Sequence, residues 1–359
     1  MLFRRGRKRN SRADFWLAIL LLLICSSLLT PFIGFANVYD NYQWLTYFPF
    51  GIAYSFGVCI YFYVLSLTDA ERGFSRRDLL FFAPSAIYVA FRLVLFAQSI
   101  EFKGWFDDNF YVPLISPFLF VTEFVWHLAF LIFAIIHYRK YRVWLDENFS
   151  DTEKLKFDWL RNFLYVFTFV FAVGGIFDFT DSFVFNLSYV QYFYFQLILA
   201  AATYYLAVAG YLRSATFAPH FMPPSLPAEN ETALPPATAK TSLPDAELER
   251  LKTTLQNLML REKPFLEPQL TLADLSKQAG ISATVLSAVI NQGFGKNFND
   301  FVNHYRVEEF KQRLGDGAAK NLNLLGIALE CGFNSKATFN RAFKKHAGVS
   351  PKQFQIAAE

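Results

Sequence analysis

Along most of this chain apolar residues come in long unbroken runs, without the short alternation of a strand or the one-sided stripe of a soluble helix. Runs over 15–35, 48–67, 79–97, 112–136, 163–177 and 189–211 hold few charges. Each approaches the ~20 residues a helix needs to cross a hydrocarbon core about 30 Å thick. The pattern predicts six membrane-crossing helices. From 214 to 245 the chain turns to Pro, Ala, Ser and Thr with no apolar period, which predicts a linker able to reach on the order of 100 Å at ~3.1 Å per residue. A helical stripe then begins with Leu248, Leu251, Leu255, Leu258 and Met259, ending before Pro264. The expected architecture is all-α: a six-helix transmembrane bundle over 1–213, a disordered linker over 214–245 and an all-helical domain over 246–359.

Loop charges orient the runs, because Lys and Arg collect on the cytoplasmic side. The N-terminus (Arg4, Arg5, Arg7, Lys8, Arg9, Arg12), the Arg72/Arg76/Arg77 loop, the loop from Arg139 to Arg161 and the Arg213 exit are basic. The intervening loops carry Glu101, Asp107, Asp108 and Asp181, with Lys103 their one base. Both ends are expected in the cytoplasm. Gly34-Phe35-Ala36 resembles a signal-peptidase site, but the first run is longer than a secretory h-region and more runs follow, so a signal-anchor helix is the better reading. Cleavage would leave five spans and the same inside C-terminus. In the longest inner loop Ser150-Asp151-Thr152-Glu153 reads as a capping box, and Trp159 as an interfacial anchor.

Composition agrees, with 54% hydrophobic and 19% aromatic residues among 359, too apolar for a wholly soluble protein. Cys25, Cys59 and Cys331 lie far apart with no clustered histidines, which predicts reduced thiols, no disulfide framework and no zinc site. No nucleophile elbow, P-loop or dinucleotide fingerprint occurs. The expectation is a protein that is not an enzyme and has no cofactor.

The C-terminal stretch reads as a helix-turn-helix. Ala328 stands four residues before Gly332, giving a small residue where helices cross and a glycine where the turn needs φ > 0. Ser335 then caps a helix whose buried stripe is Phe339 and Phe343, turning Lys336, Ala337, Asn340, Arg341 and Lys344 outward. Between Cys331 and Lys352 there are five Lys or Arg and no acid, the asymmetry of a surface that meets phosphate. The spacing recurs upstream at Ser276, Gly280 and Ser282, before Val285, Leu286, Val289 and Ile290. Between the copies, 298–314 is helical in period and makes a strut of roughly 25 Å. Two reading heads on such a spacer suit successive major-groove faces about 34 Å apart.

Residues 271–355 resemble the AraC/XylS family of bacterial transcription regulators, most specifically in Gly332-Phe333-Asn334-Ser335, Phe339, Phe343-Lys344-Lys345, Gly348-Val349-Ser350-Pro351 and Phe354. The resemblance implies that Lys336 and Asn340 lie in the part of the helix that enters the groove. Arg341 is the leading base reader, since a guanidinium bonds bidentately to guanine. Ala337 shares its face, and Lys344 and Lys345 suit phosphate. In the first copy Ala283, Thr284, Ser287 and Ala288 hold the corresponding positions, less basic than is common in the family, so this copy, with Thr284 and Ser287 as its readers, either reads by methyl contact and shape or contributes mainly affinity. Tyr305 and Arg306 match a recurrent position on the strut, for which packing and phosphate contact are equally open.

Inside the apolar runs stand Arg92, Glu123 and His127, costly in hydrocarbon unless they pair or face a cavity. They are candidates for one polar centre, structural or sensory. Two function classes remain: a membrane-anchored, sequence-specific transcription regulator whose membrane half senses or tethers, and a transporter or membrane enzyme with a regulatory DNA-binding tail. Expected partners are double-stranded DNA and the lipid bilayer of a bacterial inner membrane; an unidentified small-molecule signal, RNA polymerase and a second copy of the chain are further candidates.

Overall fold

The computed structural model describes residues 2, 4, 12–69, 72–153, 155–185, 187–213, 243–316 and 322–358. Among these, helices dominate, no strand occurs, and an isolated bridge pairs Phe149 with Thr271. The predicted linker lies almost wholly outside the described residues. They form two compact units, 12–139 with 157–213 and 140–156 with 243–358.

The first unit contains α1 (Arg12–Phe35), α2 (Phe56–Thr68), α3 (Ala83–Phe96), most of α4 (Ser116–Asn148), α5 (Asp158–Phe183) and α6 (Tyr189–Arg213). Five stretches are long and apolar enough to cross a membrane: Arg12–Phe35, Arg76–Phe96, Ile100–Asn148, Asp158–Phe183 and Val190–Leu212. The second predicted run is cut to the 13 residues of α2, only about 20 Å of helix. Its first part cannot be helical, because Pro49 lacks an amide proton and Tyr47 and Tyr54 adopt left-handed backbone at φ 71° and 65°. Apolar on every side, α2 is instead enclosed, with Val58, Cys59, Ile60, Tyr63 and Val64 fully buried.

Small residues set the close helix approaches, since a missing side chain lets backbones come together. A Cβ on Gly57 would lie 3.1 Å from the His127 backbone, and one on Gly210 would lie 2.5 Å from Leu17 Cδ2. The fourth run starts earlier than the sequence pattern suggests. A short helix, Ile100–Phe106, passes into a π-helical stretch, Asp107–Ile115, before α4; Pro113 inside that stretch has no N–H for the regular ladder.

The second unit holds α7 (Asp245–Arg261), α8 (Leu272–Ala279), α9 (Ala283–Ala288), α10 (Phe298–Gly315), α11 (Leu324–Glu330), α12 (Lys336–Ala347) and α13 (Pro351–Ala358). Local chemistry explains the starts. Thr271 and Asp274 form a reciprocal capping box, while the side chains of Ser282, Asn297, Asn323 and Ser335 each accept the amide three residues on. Two apolar cores result. The first gathers Leu255, Met259, Leu275, Leu286 and Ile290, and the second Ile327, Ala328, Phe333, Phe339 and Phe343. Helix α10 belongs to both, giving Phe298, Phe301 and Val302 to one and Val307, Phe310 and Leu314 to the other. The strut is therefore a shared wall.

Two local expectations are corrected. Ser150 to Glu153 caps no helix: α4 runs to Asn148, the next helix starts at Asp158, and the residues between are irregular. Trp159 is buried 6.2 Å from the Tyr63 ring, so packing has claimed the residue read as an interfacial anchor.

Gly332 sits at φ 90°, and a Cβ there would press on the Phe265 carbonyl and lie 2.9 Å from that of Leu266. Gly348, at φ 77°, has open space. Alanine at 348 should therefore cost only the left-handed backbone, ~1–2 kcal/mol, and alanine at 332 clearly more. Hydrogen exchange in α11 and α12 of the full-length protein measures both; equal losses would show that the close approach is not what requires glycine.

Candidate nucleic-acid interface

Helix α12 is built as a two-faced element. Phe339 and Phe343 turn inward against Phe310, with ring centres 4.7 and 5.4 Å away. That pins the rotation of the helix and leaves Lys336, Ala337, Asn340, Arg341, Lys344 and Lys345 exposed. Lys336, Arg341 and Lys344 make no ion pair among the described residues, whereas Lys345 Nζ lies 2.6 Å from Asp300 Oδ2 on α10. The free positive charge thus runs along Lys336, Arg341 and Lys344, the arrangement that meets phosphate and base edges.

The first copy presents less. Thr284 is half-buried, and Ser287 is buried, its oxygen accepting from Asn291 Nδ2 at 3.4 Å. Ser287 is thereby moved from a base-reading position to an internal one. Ser287 lies beside Leu286 on the buried side of the short α9, which passes into a π-helical turn over Val289–Gly293.

Arg306 is likewise moved inward. It is fully buried, donating from Nε to the Phe265 carbonyl at 2.7 Å and from Nη2 to the Glu267 carbonyl at 2.7 Å and to Ser150 Oγ at 3.2 Å. Its Cζ lies 5.9 Å from the centre of the Phe333 ring. Burial pulls the guanidinium down to about 10, against the opposing pull of the Asp151 and Glu267 carboxylates, so it stays charged at neutral pH. Of the two roles left open at this position, the geometry supplies packing. A buried guanidinium with its donors spent on carbonyls cannot also hold a phosphate.

The partner at Ser150 was not legible from sequence. Residues 149–153, which link two of the apolar helices, lie along this unit as an extended clasp. The Ser150 amide donates to the Leu270 carbonyl at 3.1 Å, and Asn299 Nδ2 reaches the carbonyls of Phe149 and Ser150 at 3.1 and 2.8 Å. Asn334 Nδ2 donates to Asp151 Oδ2 at 2.9 Å. Glu153 receives the Ser335 hydroxyl at 2.6 Å and the Thr338 hydroxyl as well. A carboxylate has thus settled at the N-terminus of α12, where helix dipole and hydroxyl donors favour an anion. The same Ser and Glu that suggest a local cap are used across the fold.

A helix-turn-helix domain family matches residues 275–356. Its C-terminal domain is an AraC-type helix-turn-helix domain. Over 86 residues the chain is 35% identical to an uncharacterized HTH-type transcriptional regulator of Staphylococcus aureus, covering 24% of this chain and 11% of that one. Over 81 residues it is 32% identical to the probable transcription factor PqrA of Proteus vulgaris, covering 23% and 64% respectively. The likeness therefore spans about a tenth of the staphylococcal protein and just under two thirds of the Proteus one. A solved protein of unknown function from Listeria innocua aligns along its whole length with 33% of this chain, at 27% identity and a TM-score of 0.26.

The polar residues of the apolar helices lie in the first unit, apart from the AraC-type domain. On α4, His127 Nε2 is 3.3 Å from Glu123 Oε1, and the Gly57 amide donates to His127 Nδ1 at 3.3 Å. Arg92, on α3, instead donates to the Tyr111 hydroxyl at 3.5 Å and lies 4.7 Å from the centre of the Tyr47 ring. The expected trio is thus a bonded pair and a separate arginine. Sequence spacing estimates depth along a helix but not its rotation, and α3 turns its arginine to tyrosines.

Arg306 generates a sharp expectation. Arg306→Lys removes the fork that serves three segments at once and should destabilise the AraC-type domain by about 3 kcal/mol or more, the cost of leaving buried acceptors unmet. Lys345→Ala, at an exposed pair, should cost under about 1 kcal/mol. Denaturant unfolding followed by tryptophan-independent probes on α10 and α12 tests the contrast. Similar stability of the two variants would show that the buried fork is dispensable.

Proposed function

We propose that this chain is a membrane-anchored, sequence-specific transcription regulator: its apolar helices cross a bacterial inner membrane, both ends lie in the cytoplasm, and the AraC-type domain reads DNA. What carries the reading is the joint character of the two units. The first exposes large apolar side chains that no protein covers, among them Leu80 and Ile87 at 70% and Tyr204 at 75% exposure, a surface suited to lipid. The second exposes a bare basic recognition helix. The segment between α4 and α5, part of the 139–161 stretch that holds six Lys or Arg, packs with that second unit, which supports placing loop and DNA-binding domain on the same, cytoplasmic side.

In this reading α12 supplies base discrimination through Arg341, Asn340, Lys336 and Ala337, with Lys344 on the phosphates. The first helix-turn-helix, with only Thr284 of its expected readers near the surface, contributes affinity and shape readout. The clasp over 149–153 gives the membrane helices a handle on the reading domain, since the segment ends at Ser335 and Thr338, the first turn of α12. A change in the membrane half would reach DNA through that turn, and the 214–245 segment would let the domain lie on DNA beside the membrane.

Arg341→Ala in the full-length protein should weaken its specific site by about 1–3 kcal/mol and relax selection at one base pair, while Lys344→Ala should weaken all sequences alike and flatten the salt dependence. Gel-shift titrations against specific and random duplexes decide this. Identical behaviour of the two variants would refute the division of roles.

Topology has its own check. Reporter fusions after Arg77 and Glu359 should score as cytoplasmic and one after Asp107 as external. An external C-terminus would put DNA out of reach and end the proposal.

A further inference from the structure

The first unit holds a half-open cavity of about 280 Å³ among α1, α2, α4, α5 and α6, near the lower end of ligand-sized pockets. Its walls are largely aromatic, with Phe56, Phe120, Phe124, Phe167, Phe171 and Phe195 on the lining. Five polar side chains on four helices also reach it: Ser27 from α1, Glu123 and His127 from α4, Asp178 from α5 and Gln196 from α6.

The hydrogen bonds fix what these groups can offer. Because His127 Nδ1 accepts from the Gly57 amide, the imidazole is neutral and its proton sits on Nε2, facing Glu123 Oε1. That donor is already used. The remaining lining hydroxyl, on Ser27, is given to the Ile24 carbonyl at 2.8 Å. What is left is acceptor chemistry. Glu123 keeps a second oxygen, Asp178 takes only the Tyr192 hydroxyl at 3.2 Å, and Gln196 Oε1 is buried with no hydrogen-bond partner among the described residues. No lysine or arginine lines the space, and Arg92, which could have neutralised it, is held by Tyr111 and Tyr47.

We propose that this cavity is a binding site for a small organic cation, an ammonium group on an aromatic or branched apolar body. Glu123 is half-buried and Asp178 lies at an exposed edge of the lining, and no lysine or arginine among the described lining residues offsets their charge; a positive guest does so while its N–H groups meet Glu123, Asp178 and the orphan Gln196 oxygen. The six rings supply both apolar contact and the negative faces that attract a cation. An anion is disfavoured by the same charges. This deepens the regulator reading by naming the class of signal, and rests on that reading only for its consequence in the cell.

The test uses the full-length protein in nanodiscs, without DNA, and three probes of one shape: 2-phenylethylamine, its neutral isostere 2-phenylethanol and the anion 3-phenylpropanoate. Calorimetry, corrected with empty nanodiscs, should show the amine binding at least tenfold tighter than the alcohol and the anion not binding. Glu123→Gln and Asp178→Asn should each weaken the amine at least tenfold while leaving the alcohol unchanged, which also shows that the cavity is intact. If the wild type binds amine and alcohol alike, or binds none of the three, or if both variants keep wild-type amine affinity, the proposal is overturned. DNA binding measured on the same preparation separates the two readings. Amine binding without any specific DNA binding would remove the regulator and leave the cation site.

Discussion

The second unit is organised by one buried charge. A guanidinium taken from water must return each lost hydrogen bond from within the protein, or the fold loses several kcal/mol. Arg306 meets this demand with backbone carbonyls from the turn after α7, and with a serine from the segment between two apolar helices. Those carbonyls belong to Phe265 and Glu267, beside the place where Gly332 makes its closest approach. The turn of the second helix-turn-helix, the strut and the first subdomain are thus fixed around a single side chain. A packing residue thus fixes how the two helix-turn-helix copies sit relative to each other.

The clasp follows from the same constraint. Ser150 completes the arginine, and once it is placed, Asp151 and Glu153 fall beside Asn334, Ser335 and Thr338. Carboxylates at the start of a basic helix are stabilising locally and leave its outward face clear. Helix α12 is then held by its phenylalanines against the strut and by the 149–153 segment at its first turn.

In the first unit the governing condition is different, since an apolar exterior gives helices no reason to separate inside from outside. Order comes from small residues and from polar atoms with few possible partners. Gly57 admits the His127 backbone and also donates to its ring, so one position sets both a helix crossing and a tautomer. The short α2, with Val58, Cys59, Ile60, Tyr63 and Val64 fully buried, is the product of these contacts.

Much of this was determined by the sequence by itself. Unbroken apolar runs, loop charges, caps at Thr271, Ser282 and Ser335, and phenylalanines four apart are local features whose physics acts over one or two turns, and they specify the all-helical plan and the doubled helix-turn-helix. The exposed face of α12 was legible for the same reason, because a helix with two buried rings has only one way to turn its remaining side chains. Where a residue's fate depended on a distant partner, local pattern was silent. Arg306 occupies a position that suits a surface, yet its partners are carbonyls and a hydroxyl that only the assembled fold brings near. Ser150 and Glu153 have the spacing of a cap, but cross-fold bonds to Arg306, Ser335 and Thr338 replaced it. The separation of Arg92 from Glu123 and His127 was decided by helix rotation, which depends on what each helix packs against and is not written along either helix alone.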